Sequence, residues 1–168
     1  MRLVAVVVLA ACLAACDTLS SHSDYDHSVD FSGYRTFAWI SEKPMIAASP
    51  DVSPLAQGRI QRAITSTLAA KGIRYVEDPA AADFVIAFTV GSRQEIRASP
   101  GWGAPYYDAA NVDAYTQGRL AIDVFDAKKK QPVWTGVATK SVTGADQANV
   151  EALINKAVAK ILESFPPP

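Results

Sequence analysis

Near the end of the chain the apolar residues Val150, Leu153, Ile154, Ala157, Val158, Ile161, Leu162 and Phe165 recur at steps of three and four. That spacing aligns them as one stripe of an amphipathic helix, and such a stripe must be buried against another surface. The partner surface lies upstream. Phe84, Ile86, Phe88 and Val90 alternate with Val85, Ala87 and Thr89, the period of a β-strand with two distinct faces. Because the second face is only partly polar, this strand belongs in the middle of a sheet. A helix stripe and a central strand in one chain require both element types around one core.

The remaining elements follow from local chemistry. Thr36-Phe37-Ala38-Trp39-Ile40 is rich in β-formers and predicts a first strand. Residues 41–54 carry Pro44, Pro50 and Pro54 and are expected to be loop. Ser53-Pro54 provides an N-cap and a first-turn proline for a helix with Ile60, Ala63, Ile64 and Leu68 on its apolar side, ended by Gly72. Ile73–Val76 predicts a short edge strand before an Asp78-Pro79 turn. Leu120–Phe125 and Val133–Thr139, joined through Asp126–Pro132, predict a β-hairpin. Residues 98–114, with Trp102, Tyr106 and Tyr107 among prolines and glycines, are expected to form a long loop. This order predicts an α+β two-layer sandwich, a mostly antiparallel sheet with two helices packed on one face.

The first fifteen residues stand apart from that domain. After Arg2 the chain runs from Leu3 to Ala15 without a charge, too short to cross about 30 Å of hydrocarbon, which takes roughly 20 apolar residues. A cleaved export signal fits better. Its end, Leu13-Ala14-Ala15-Cys16, resembles the lipobox of bacterial lipoproteins. The resemblance implies cleavage before Cys16 and acylation of that cysteine, which anchors the protein without spanning the membrane. Leu9-Ala10-Ala11-Cys12 is a rival box; the Cys16 site leaves the small polar residues Asp17–Asp24 as a flexible tether. The expected organisation is a signal peptide over residues 1–15, a lipidated cysteine and tether over 16–24, and a single domain over 25–168. An envelope location facing the periplasm follows. Asp17 resembles a retention signal for the inner membrane; otherwise the outer membrane is expected.

The domain beyond the signal has the length of one ordinary unit with its own core. The whole chain has 16 basic and 17 acidic residues, and with Arg2 in the signal the domain lacks the positive balance of a nucleic-acid binder. Both cysteines, Cys12 and Cys16, lie in or at the end of the signal, so the domain holds no disulfide.

Several stretches together resemble the domain of unknown function 4136 family of bacterial lipoproteins. They are Asp24-Tyr25-Asp26 with Asp30-Phe31-Ser32-Gly33-Tyr34-Arg35-Thr36-Phe37-Ala38-Trp39, then Ala82–Ala87, then Gly118–Asp123 running to Val133-Trp134-Thr135-Gly136, and the terminal helix closing on Phe165-Pro166. His27 departs from the expected proline, in a loop. The resemblance implies an envelope lipoprotein with an α+β domain and brings no catalytic residues with it.

The residues themselves offer little chemistry. The only histidines, His22 and His27, lie near the tether, so no catalytic triad can be assembled and no metal site is expected. Asp123 and Asp126 are three apart in a strand and point to opposite faces, which assigns Asp126 to the turn. Lys128-Lys129-Lys130 reads as a solvated turn, with anionic headgroups as its alternative partner. No glycine motif joins a strand to a helix start, so no cofactor is expected. Trp102, Tyr106 and Tyr107 are the candidates for partner contact, since such aromatics are enriched in protein interfaces. The sequence therefore predicts a non-catalytic protein, anchored through Cys16, that binds an unknown envelope protein. The alternative is a small-ligand or lipid carrier, with an enzyme less favoured. A carrier requires a pocket, and a partner-binding module a flat patch.

Overall fold

The computed structural model describes residues 19–50, 52–99 and 111–167. Its strands are β1 (Ser20–Tyr25), β2 (Thr36–Trp39), β3 (Met45–Ala48), β4 (Arg74–Tyr75), β5 (Phe84–Ser99), β6 (Asn111–Asp126) and β7 (Pro132–Val142). Its helices are α1 (Ala56–Ala70), α2 (Gly144–Ala148) and α3 (Val150–Leu162). The strands form one seven-stranded sheet in the order β1-β7-β6-β5-β2-β4, with β3 also paired to β5.

The sheet is mixed, which corrects the expectation of a mostly antiparallel one. β1, β7, β6 and β5 pair antiparallel, but β2 and β3 run parallel to β5, and β2 parallel to β4. The cause is the placement of α1 between β2 and β4. A long crossover of this kind returns the chain in its original direction, whereas tight turns reverse it.

Three segments carry more strand than local composition suggests. Ser20–Tyr25, all but its last residue assigned to the tether by its small polar residues, lies along β7 from Thr139 to Trp134. Met45–Ala48, inside the proline-rich stretch, takes the edge of β5 beyond the end of β2. The expected loop over residues 98–114 is shortened at both ends, because β5 and β6 stay paired out to Ser99 and Asn111. In each case the backbone partner, not the side-chain pattern, makes the strand.

α1 begins at Ala56, later than its Ser53-Pro54 signal, although Ser53 opens the turn by accepting from the Leu55 and Ala56 amides. Its end is as expected. Gly72 has φ +80°, and the Gly72 and Ile73 amides donate to Ala69 and Leu68, the Schellman pattern that favours glycine at this position. Lys130, in the β6–β7 turn, also has positive φ, at 53°.

Register explains the core. Phe84, Ile86 and Phe88 of β5 stand on the same face as Ile122 and Val124 of β6, Trp134 of β7 and Phe37 of β2. These join Ile60, Ile64 and Leu68 of α1 and Ile154, Val158, Ile161 and Leu162 of α3 in one buried cluster. α1 and α3 pack on each other, and α3 also lies on β7. Phe165 falls beyond the helix end yet is fully buried, its ring 5.1 Å from Trp134 and 5.3 Å from Phe84.

Candidate functional site

The helix-side face of the sheet continues past the core. Beyond the row of Phe88, Ile122 and Gly136 come Val90, Leu120 and Ala138, then Ser92, Gly118 and Lys140, then Thr116 and Val142. The helices do not fully cover these rows, because α1 and α3 only begin here. Ala56 and Ile60 from one, and Val150, Leu153 and Ala157 from the other, stand over small residues on the sheet. The result is an apolar groove of about 450 Å³, lined also by Leu19 and Val52. That volume falls in the range of small-ligand sites, roughly 300–1,000 Å³. Gly118 keeps the floor low, since a Cβ there would stand 3.0 Å from Val142 Cγ2.

One ion pair sits on the groove wall. Lys140 Nζ donates to Asp146 Oδ2 at 2.7 Å, and Asp146 also accepts from the Thr143 amide and hydroxyl, while its own amide donates to Thr143 Oγ1. This capping box starts α2 and ties it to β7. The Lys140 ammonium, with the two Thr143 donors, holds the Asp146 carboxyl down to about 2 against the burial that pushes it up.

A folded-state value below the ordinary 3.8 means that the contribution of Asp146 to stability is complete above that value and is lost as pH falls toward and through 2. Asp83 and Asp126, also lowered, add to the same trend. Urea midpoints between pH 4 and pH 2 should therefore fall less steeply for Asp146→Asn than for wild type. Parallel slopes would show that the pair contributes nothing pH-dependent.

The other polar clusters are structural. Tyr34 Oη donates to Asp126 Oδ2 at 3.0 Å, and Asp126 Oδ1 accepts from the Lys128 and Lys129 amides. Burial, then the Asp126 carboxylate, pushes the Tyr34 hydroxyl up. Burial raises the Asp126 carboxyl as well, but these donors outweigh it and the net shift is downward. Asp83 accepts from the amides of Arg35 and Thr36 and from the Thr36 hydroxyl. Both carboxylates are thus occupied in joining turns to strands.

The sequence-based candidates are dispersed. Asp123 accepts from Thr135 Oγ1 at 2.7 Å on the face opposite Asp126. His22 lies on exposed β1, and His27 rests against the Tyr25 ring. Lys128–Lys130 occupy the exposed β6–β7 turn. Among the described residues, no three His, Cys, Asp or Glu side chains gather to hold a metal ion, and no helix is long and apolar enough to cross a membrane. Cys16, Trp102, Tyr106 and Tyr107 lie outside the described residues.

Groove residues such as Val90, Leu120, Val150 and Leu153 continue the same apolar periods that build the core. Nothing in their spacing separates a groove position from a core position. The difference arises only where the helix layer ends before the sheet does.

The fold has known counterparts. The chain is similar to a DUF4136 family protein from Bacteroides thetaiotaomicron, with TM-score 0.61, 20% identity, and 89% of this chain and 97% of that one covered. It is also similar to PelC from Paraburkholderia phytofirmans, solved as a dodecamer, with TM-score 0.52, 14% identity, and 86% and 94% covered. No curated protein matches it by sequence. The sequence profile described as Domain of unknown function (DUF4136) matches residues 21–167, and the chain belongs to that family.

Proposed function

We propose that the protein is a non-catalytic module of the bacterial envelope, anchored through acylated Cys16, that holds an apolar chain in the groove between the first turns of α1 and α3 and the far rows of β5, β6 and β7. The groove carries this reading. Its lining is largely aliphatic; Lys140 and Asp146 satisfy each other at 2.7 Å, and Arg119 alternates onto the opposite, exposed sheet face. An occupant therefore needs no hydrogen bonds from it, which suits hydrocarbon better than a sugar or an exposed peptide backbone. This favours the carrier alternative over a flat partner-binding patch.

The test uses the unlipidated domain from residue 17 onward and a fluorescent long-chain fatty acid. Saturable one-to-one binding is expected. Leu153→Lys places a charge at a partly exposed groove position and should weaken binding at least tenfold while leaving the circular dichroism unchanged. If the probe fails to saturate, or binds both forms equally, the groove does not hold apolar chains. An apolar segment of a partner protein would then become the occupant to seek.

A further inference from the structure

We infer that the chain held in the groove is an acyl chain of the molecule's own Cys16, folded back from the membrane surface. The inference rests on the proposed acylation of Cys16 and on the groove as a site for apolar chains.

The argument is one of reach. Leu19 lines the groove, and β1 begins one residue later with Ser20 opposite Thr139. Cys16 lies three positions before Leu19, and an extended chain spans at most about 3.3–3.6 Å per residue, so the anchor can be no more than roughly 11 Å from Leu19. The headgroup layer accounts for only about 5–8 Å on each side of a bilayer's hydrocarbon core. A domain held this closely keeps its groove beside the headgroups.

Competition for the groove favours the tethered chain. A short linker gives its cargo an effective concentration of about millimolar, without a second molecule having to be captured. A phospholipid would have to draw a chain out of the bilayer and also bring its headgroup to the groove. Of the two cations along the lining, Lys140 is already paired with Asp146, and Arg119 is exposed and alternates onto the opposite sheet face. An acyl chain already rooted beside Leu19 brings no such group.

The experiment places the photoreactive residue p-benzoylphenylalanine at position 153 of the full-length protein in living cells. After irradiation, the lipidated protein is digested and its crosslinked peptides are identified by mass. The expected product joins the peptide containing residue 153 to the acylated Cys16 peptide of the same monomer. The same residue at position 135, on the opposite sheet face, should give no such product. Crosslinks to free phospholipid, crosslinks to another protein, or no crosslink at all would each overturn the inference.

A second measurement separates this failure from failure of the readings beneath it. The lipidated protein should bind the fluorescent fatty acid at least tenfold more weakly than the unlipidated domain, because its groove is already filled. Equal binding with Cys16 demonstrably acylated overturns self-occupancy alone. A Cys16 peptide without acyl mass overturns the anchor, and an unlipidated domain that binds no probe overturns the groove reading.

Discussion

Gly136→Ala is expected to lower stability by about 3 kcal/mol, at the upper end of typical overpacking costs. For a chain of this size that corresponds to a fall of roughly 6–12 °C in melting temperature. A Cβ at Gly136 would overlap Trp134 Cη2 and lie 2.6 Å from Ile161 Cγ2. Neither neighbour can yield easily, since Trp134 is 2% exposed and Ile161 1% exposed. Replacing a strand glycine by alanine ordinarily gains about 0.4–1 kcal/mol by restricting the unfolded chain. Here the steric cost exceeds that gain. The urea midpoint checks the prediction, and an unchanged midpoint would mean that the indole has another place to go. Trp134→Phe in the same chain should recover part of the loss, because it removes the overlapping ring atoms together with an indole N–H that is buried without a partner.

Phe165→Ala should cost still more, about 3–5 kcal/mol, the usual range for deleting a fully buried aromatic. Phe165 joins three parts of the chain, with Trp134 at 5.1 Å, Phe84 at 5.3 Å and Phe31 at 6.2 Å between ring centroids. Removing it opens a cavity where the terminal turn meets the sheet. Leu55→Ala, at a position 66% exposed, is the control and should stay within about 0.5 kcal/mol of wild type. If both variants unfold at the same urea concentration, Phe165 is not the link that its contacts suggest.

The sequence revealed elements whose own side chains determine them. The stripe from Val150 to Leu162, the alternation from Phe84 to Phe88 and the glycine stop at Gly72 are local patterns with local causes. β1 and β3 were hidden because Ser20–Tyr25 and Met45–Ala48 owe their strand form to the edges they meet. Strand direction was missed for another reason: the helix between β2 and β4 was legible, but nothing local shows that the strands it joins become neighbours in one sheet. The candidate site was the least legible part. Ala138 and Gly118 become a groove floor only because α1 and α3 start where they do, and that offset appears only in three dimensions.

The pairing of β1 with β7 also bears on the order of folding. Ser20 and Thr139 are 119 positions apart and joined by hydroxyl contact, and Ser23 meets Ser164 at a separation of 141. The strand made first can take its place only after nearly all of the chain has been made, and loop closure over such a span is slow. A chain that is made amino end first would therefore carry β1 unpaired through most of its synthesis. The first described strand would then be among the last to join the sheet.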